Sequence, residues 1–402
     1  MIGWTGTASH AITLSNIVEG VTEHGYSNHL ARLYTHIGES RGFTDGDSPR
    51  TPLPQHDLAC DYMVSNFTAW GYDTWLDPFE FDVNFTYDND SNSYHYADCN
   101  NVVATKWGSG GTNVFLLIAH YDSVDSGHRN VTMGPGADDG ASGVAAQLTI
   151  AEAIKDYVFK DTIVFVACDA EEKDYQGSIY FRNNHVTENP AETNATTFLK
   201  SAIRACVNLD TIAYDDTNNV PQVVIGTLSG WNPVVTAVSS AMSKYTELTP
   251  RFKTGYDSSD HISFANIGID SIHVIEYDFS DYWGDGFTPN PNYHSDFDAI
   301  DAPNYLKFDY AAEVTKGIAG ALCEYATPIP PATLMETVGS NAVTVSWICA
   351  PNVDYRLYGA CNLASNDWTF IQDIPATGMV TELRVELDLA CVTQTMFKVI
   401  GE

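Results

Sequence analysis

The sequence predicts an α/β protein, a three-layer sandwich on a mostly parallel mixed sheet, followed by a small C-terminal β-sandwich. Three observations predict it. Short continuous apolar runs recur at VFLLIA (114–119), TIVFVAC (162–168), AIRACVNL (202–209), QVVIG (222–226) and SIHVIE (271–276). Strands apolar on both faces belong in a parallel sheet covered by helices, since a strand with one wet face would alternate. Between the first two runs, ASGVAAQLTIAEAIKDY (141–157) has helical periodicity, and strand alternating with helix is the pattern of an open α/β sandwich. Finally, the Pro-rich TPIPPAT (327–333) separates this pattern from a different one.

The elements follow in order. Residues 25–70 read as helices interrupted by the Pro-rich SPRTPLPQ (48–55). The stretch from 77 to 107 alternates aromatic and polar residues, as exposed antiparallel strands do. The five apolar runs then build the sheet. Beyond the break, AVTVSWI, DYRLYG, WTFIQDI, ELRVEL and TMFKVI alternate apolar and polar positions with short turns between them. A fibronectin-like β-sandwich over 328–402 is expected, behind a larger unit over 1–327. At 402 residues the chain is long enough for one large and one small domain.

Composition narrows the partners. With 52 acidic against 19 basic residues the net charge is −33. Nucleic acid and anionic membrane are poor partners for such a chain, because phosphate contacts need clustered Lys and Arg. No apolar run approaches the length of a membrane span. The start MIGWTGTASH lacks a basic region followed by an apolar core, reads as a processed terminus, and sets the expectation of a secreted or extracytoplasmic protein. The eight cysteines form no C-x-x-C pair, which argues against a structural zinc knuckle. Cys168 and Cys206 fall inside apolar strands and are expected as buried thiols, whereas Cys60 with Cys99, or two of Cys349, Cys361 and Cys391, could form disulfides after export. Sequons at Asn66, Asn84, Asn89, Asn130 and Asn194 fit that compartment but are common by chance. Nothing in the chain signals an oligomeric state.

The chemistry lies in five short phrases. IAHYDS (118–123) carries His120, PGADDGASG (135–143) carries Asp139, DAEEKDYQGS (169–178) carries Glu171 and Glu172, VNLD (207–210) carries Asp210, and NYHSDFD (292–298) carries His294. His120, Glu171, Glu172 and Asp210 each follow a strand-like run, at the carboxyl edge where α/β sheets gather their ligands. Two histidines and three carboxylates can hold two zinc ions if one carboxylate bridges them. Glu171 is then left over as a general base, which makes the chain a hydrolase. Asp122, two residues after His120, is placed to accept from the second ring nitrogen and set the tautomer. Each signal alone has an ordinary explanation: a satisfied polar histidine, an acidic N-cap on the 141–157 helix, a charged surface pair. Glutamates directly after a fully apolar strand are different, because charge held at a sheet edge is costly unless used.

With these phrases the chain resembles the zinc-dependent aminopeptidases of the bacterial leucyl aminopeptidase and aminopeptidase Y type, relatives of glutamate carboxypeptidase II, over about residues 25–325. The phrases that carry the resemblance are His120-Tyr121-Asp122-Ser123, Gly136–Gly143, Ala170–Ser178, and Tyr256-x-x-Ser259-Asp260-His261-x-x-Phe264. The resemblance implies two Zn2+ ions bridged by Asp139, with His120 and Asp210 on one and Glu172 and His294 on the other. It makes Glu171 the general base, Asp122 the partner of His120, and Tyr256 the hydrogen-bond donor to the reacting carbonyl. Substrates would be the N-termini of peptides or proteins. The chain departs from the family where Glu-Glu usually continues Gly-Leu, for here Lys173-Asp174-Tyr175-Gln176 follow, which puts specificity in question. The disulfide that some relatives place around the tyrosine is absent, with Thr254 and Ser258 in those positions. The acidic, aromatic insertion 276–291 is expected to wall the pocket.

Rival readings are weaker. GESRG (38–42) matches G-x-S-x-G but sits between a helical stretch and a loop, not between strand and helix. No HExxH occurs. DNDSN (88–92) resembles the start of a calcium loop, yet Cys99 stands where the closing glutamate belongs, so Ca2+ has no ligand set. A glutaminyl cyclase-like acyltransferase shares the fold but uses one zinc, and the full ligand set favours the peptidase. A metal-free, peptidase-like binding domain would lack ligands that are all present here.

Overall fold

The computed structural model describes residues 14–36, 54–87, 90–124, 134–215, 221–276 and 290–329, and strand segments between 335 and 401. The side chains of residues 83–94, and most beyond 329, lie outside that description. The chain runs through α1 (Leu14–Glu19), α2 (Glu23–Ala31), α3 (Pro54–Ala69), a long hairpin of β1 (Asp73–Tyr87) and β2 (Asp90–Lys106), β3 (Val114–His120) and α4 (Ala141–Ile154). It continues through β4 (Val158–Phe159), β5 (Thr162–Cys168), α5 (Gln176–His185), β6 (Val186–Thr187), β7 (Phe198–Leu199), β8 (Ile203–Leu209) and β9 (Gln222–Thr227). Then come α6 (Pro233–Tyr245), β10 (Thr249–Thr254), α7 (His261–Ala265), β11 (Ser271–Ile275), α8 (Phe308–Ala326) and β12 (Pro328–Ile329).

Eight strands form one sheet in the order β1-β2-β5-β3-β8-β11-β9-β10. The central four, β5, β3, β8 and β11, are mutually parallel, while the β1/β2, β2/β5 and β11/β9 pairs are the antiparallel joins. This is the mixed, mostly parallel sheet expected. Every residue of β3 and β5 is buried, as continuous apolar runs require. Alternate residues face opposite layers. Phe115, Leu117 and Ala119 join the core beneath α1, α2, α3, α4, α6 and α8, whereas Leu116 and Ile118 pack with Phe181 of α5 and Phe264 of α7. Each fully buried Val, Leu, Ile or Phe contributes roughly 1.5–3 kcal/mol, so the two faces together dominate stability.

Helix α4 ends at Ile154, short of the 157 expected, and is buried almost all round. Its small residues permit that. At Gly143 a methyl would come within 2.2 Å of the Leu209 carbonyl oxygen on β8, so helix and strand approach closely only with glycine there. The ordinary explanation of Asp138 and Asp139, an acidic N-cap on this helix, does not hold: Gly140 is the capping residue, with no side-chain cap bond. Helices α6 and α8 pack together over the sheet and are elements the apolar-run reading did not single out. A local signal does start α6, where Pro233 occupies the first turn and Asn232 Oδ1 accepts from the Val235 amide at 3.1 Å.

Pro328 and Ile329 pair with Phe159 and Val158, so the first residues past the expected boundary are still tied to the larger unit. Further on, β13 (Met335–Val338), β14 (Ala342–Trp347), β15 (Tyr355–Ala360), β16 (Thr369–Ile374), β17 (Leu383–Asp388) and β18 (Met396–Gly401) form two antiparallel sheets, β13-β14-β17 and β16-β15-β18. Each of the five alternating segments carries one of these strands. No helix among the described residues is long and apolar enough to cross a membrane.

Several expectations are corrected or fall elsewhere. Cys60 and Cys99 are both buried free thiols, not a disulfide, and Cys168 and Cys206 are buried thiols as expected. Cys349, Cys361 and Cys391 lie outside the described residues, as does GESRG (38–42). Asp90, Ser91 and Asn92 of the calcium-like phrase pair with Tyr87, Thr86 and Phe85 in the hairpin.

Candidate metal centre

The five phrases converge at the carboxyl end of the sheet. His120 is the last residue of β3 and fully buried. Its Nε2 lies 3.1 Å from Asp139 Oδ1 and 3.4 Å from Asp210 Oδ1. His294 Nε2 lies 2.9 Å from Asp139 Oδ2 and 3.2 Å from Glu172 Oε2. The two oxygens of Asp139 therefore face different histidines. Glu171, one residue before Glu172, acts on His120 electrostatically.

Each of these side chains is set by its local fold. Asp139 sits in the turn before α4, next to Gly140, where a methyl would come within 2.4 Å of His120 Nε2. The peptide between Asp139 and Gly140 is cis. Glu171 and Glu172 open a single 3-10 turn after β5. Their backbone amides donate to Asp122 Oδ1 at 3.0 Å and Oδ2 at 3.2 Å. His120 Nδ1 is 3.1 Å from the Asp122 carbonyl oxygen and 3.5 Å from its carboxylate. Asp122 thus orients His120 mainly through its backbone, and its carboxylate is spent on the neighbouring turn. Ala170, Thr211 and His294 have φ of +53°, +50° and +51°. Left-handed backbone costs a non-glycine residue about 1–2 kcal/mol, so strain is concentrated beside Glu171, beside Asp210 and at His294, as functional sites often show.

Carboxylates outnumber imidazoles, and the ionisation equilibria respond. Burial alone would lower both histidines. The charges of Glu171 and Asp210 instead raise His120 well above its usual value, and those of Glu172 and Asp139 push His294 up to about 11. Glu171 is raised well above the usual carboxylate range by burial, against the pull of His120 and with reinforcement from Asp210 and Glu172. Asp139 and Asp210 are lowered despite burial, because histidines face them. Glu172 Oε1 is buried without a hydrogen bond, and Asp139 Oδ2 is buried with the His294 imidazole at 2.9 Å as its neighbour. Ligand atoms of His120, Asp139 and Glu172 lie within 4.8 Å of one another. Buried carboxylate oxygens beside imidazole nitrogens, one of them orphaned, are the donor set a divalent cation satisfies.

Tyr256 is placed differently. Its ring packs on Gly226, in a cluster with Val224 and Ile275, and stands edge-on to His273 at 5.7 Å. His273 Nε2 is in turn 3.6 Å from Asp210 Oδ2, so Tyr256 meets the cluster through an intervening ring. Tyr293 is the phenol beside the ligands. Its ring stacks on His294 at 3.8 Å, and burial together with the charges of Asp139, Glu172, Asp210 and Glu171 raises its hydroxyl well above the usual value. Sequence reasoning missed it although it adjoins His294 in a quoted phrase. It also missed Ser259, whose hydroxyl donates to Asp210 Oδ2 at 2.6 Å, and Asp298. His273, a lone histidine inside a strand, carried no signal. Of the 276–291 insertion, residues 277–289 lie outside the described residues. Glu276 points inward, accepting from the Tyr214 amide at 2.6 Å and from Asn290 Nδ2 at 2.9 Å, and belongs to the scaffold.

Comparisons with known proteins bear on the fold and the family. The probable leucine aminopeptidase 2 of Aspergillus oryzae is 29% identical over 245 residues, 57% of this chain and 45% of that protein, so the chain spans less than half the length of this curated relative. An aminopeptidase from Aneurinibacillus sp. strain AM-1 shares the fold with a TM-score of 0.59 at 16% identity, covering 79% of this chain and 97% of that one. A glutaminyl cyclase from Macrostomum lignano shares it with a TM-score of 0.57 at 17% identity, covering 79% and 93%. The model of peptidase family M28 matches residues 101–318, which include every residue of the cluster, and the chain belongs to that family.

Proposed function

We propose that this protein is a zinc-dependent aminopeptidase that hydrolyses the N-terminal peptide bond of peptides or proteins. One observation carries the proposal: the two oxygens of Asp139 face two different histidines, His120 at 3.1 Å and His294 at 2.9 Å. A carboxylate so placed fits a bridge. His120 and Asp210 would hold one Zn2+, Glu172 and His294 the other, and Asp139 both. When bound, such a pair supplies Lewis-acid polarisation of a water and of the scissile carbonyl.

The side chains do the rest. Glu171, a carboxylate whose proton affinity burial raises, takes a proton from the attacking water and returns it to the departing amine. Asp122 holds the Glu171–Glu172 turn by its two amides, so the base keeps its distance and direction. Tyr293, stacked on His294, is the phenol we assign to the carbonyl oxygen, and Tyr256 becomes the wall behind His273. The chain's net charge of −33 attracts a free α-amine and repels a C-terminal carboxylate, which favours the amino end of the substrate.

The test is a panel of aminoacyl 4-nitroanilides, assayed with and without chelator, alongside zinc analysis of the purified protein. Cleavage that is lost with chelator and restored by zinc is expected. Zinc-loaded protein that leaves every anilide intact would overturn the assignment. A peptide beginning with glutamine separates the cyclase alternative: an aminopeptidase releases glutamine, whereas a cyclase releases ammonia and leaves a blocked terminus. Residues 328–402 are proposed as a separate non-catalytic module, since the phrases of the centre all lie before them.

A further inference from the structure

Asp298 lies four residues beyond His294, is 2% exposed, and has no part in the chemistry above. Its Oδ1 accepts from the Asp138 amide at 2.8 Å and its Oδ2 from the Asp139 amide at 3.0 Å. Its carbonyl oxygen accepts from the Ala137 amide at 3.0 Å. Three successive amides of the turn that carries Asp139 therefore end on one residue. These amides precede α4, and no side-chain cap serves that helix end. The other side of Asp298 belongs to the His294 turn, where its own amide donates to the Ser295 carbonyl at 3.1 Å.

The carboxylate is itself fixed. Tyr305 Oη donates to Asp298 Oδ1 at 3.0 Å, and Asn290 Nδ2 lies 2.9 Å from Tyr305 Oη and 3.0 Å from Asp138 Oδ2. We propose that Asp298 is a positioning residue of the centre, a two-pronged clamp that holds the Asp139 turn against the His294 turn. In that orientation the two oxygens of Asp139 face the two histidines. The inference rests on the di-zinc assignment for its consequence, but the clamp itself is a property of the metal-free chain. An amide in place of the carboxylate would set an NH2 against one of the two backbone N–H groups, and a buried donor left unpaired costs about 1–3 kcal/mol. The turn would rotate to find another acceptor and carry Asp139 with it.

The test is Asp298→Asn, with Asp301→Asn as an exposed control for charge. Amide hydrogen exchange of the segment around 137–140 is measured in the metal-free protein, then zinc affinity by competition with a chromogenic chelator, then kcat and KM. Faster exchange confined to that segment is expected, with zinc affinity and kcat each reduced about 10–100-fold, KM unchanged, and the control like wild type. Exchange at the wild-type rate in folded Asp298→Asn overturns the clamp whatever the protein binds. Faster exchange with unchanged zinc affinity and turnover overturns its role at the centre. Wild-type protein that binds no zinc overturns the di-zinc assignment instead, and leaves the exchange result to judge the clamp. If Asp298→Asn does not fold, Tyr305→Phe removes only the phenol that fixes Oδ1. A smaller rise in exchange and a smaller fall in zinc affinity then support the proposal, and wild-type values of both overturn it.

Discussion

The turn at Glu171–Glu172 and the turn at Asp138–Asp139 are held by the same device, reached by different routes. In each, a buried carboxylate accepts from two consecutive backbone amides: Asp122 from Glu171 and Glu172, Asp298 from Asp138 and Asp139. Asp122 stands two residues after His120, in the same phrase, and is positioned by the strand that also delivers that histidine. Asp298 comes 159 residues after Asp139 and depends on the whole chain between them having folded. The first turn also has a second anchor, because Asp169 at the loop's start takes His56 Nε2 at 2.7 Å and the Asn100 amide at 2.8 Å. The second turn relies on the Asn290–Tyr305 brace. A ligand set can thus be supported partly by its own motifs and partly by residues no motif announces.

The largest effect expected is at the first turn. Glu171→Gln should lower kcat by about 10²–10⁴-fold while zinc content stays unchanged, since only the proton carrier is removed. Elemental analysis and anilide kinetics together check this, and near-normal turnover would remove Glu171 from the role of base. Asp122→Asn comes next, with losses at or above the upper end of about 10–100-fold in activity and in zinc affinity. It should exceed Asp298→Asn because Asp122 also contacts His120. If the distant clamp proved the costlier to lose, the ranking of the two turns would reverse.

Tyr293→Phe is expected to cost about tenfold in kcat, the worth of roughly 1.4 kcal/mol from one hydrogen bond to the reacting oxygen, and Tyr256→Phe less than twofold. The opposite order would return the carbonyl to Tyr256. His56→Gln should change turnover least and show itself in stability. Burial lowers the His56 imidazole, but the Asp169 carboxylate outweighs burial and pushes it up to about 9. A pKa above the unfolded value of about 6.5 means that the pair stabilises fully below that pH. The contribution is then lost as pH rises through about 9. Melting curves of metal-free wild type and His56→Gln should therefore converge between about pH 6.5 and 9.5, and a constant gap would show that the pair does not titrate there.

Much of the centre was legible because its parts are local. His120, Glu171, Glu172 and Asp210 follow apolar strand runs, so the carboxyl edge of the sheet collects them whatever the loops do. Asp139 and His294 were legible from their phrases. Asp122 was legible as a partner of His120, though not as the clamp of the next turn, because which atom of a side chain is used depends on what packs against it. Tyr293 and Asp298 lie in the same phrase as His294 and went unread, since adjacency in sequence says nothing about which way a ring or a carboxylate turns. The direction in which the Tyr256 ring turns was unreadable for the same reason. Its position after β10 was readable, but the bare Gly226 that draws its ring away lies on a neighbouring strand.

By itself, then, the chain of residues determined the class of the sheet, the edge at which chemistry gathers and the histidines and carboxylates that cluster there. Strand burial and short-range spacing are encoded by neighbouring residues. Only the tertiary structure decided which hydroxyl stands beside His294, which carboxylates are spent on backbone amides, and that Cys60 and Cys99 remain thiols. Those outcomes are set by contacts between segments far apart in the chain, where a buried polar group takes whichever partner folding brings within reach.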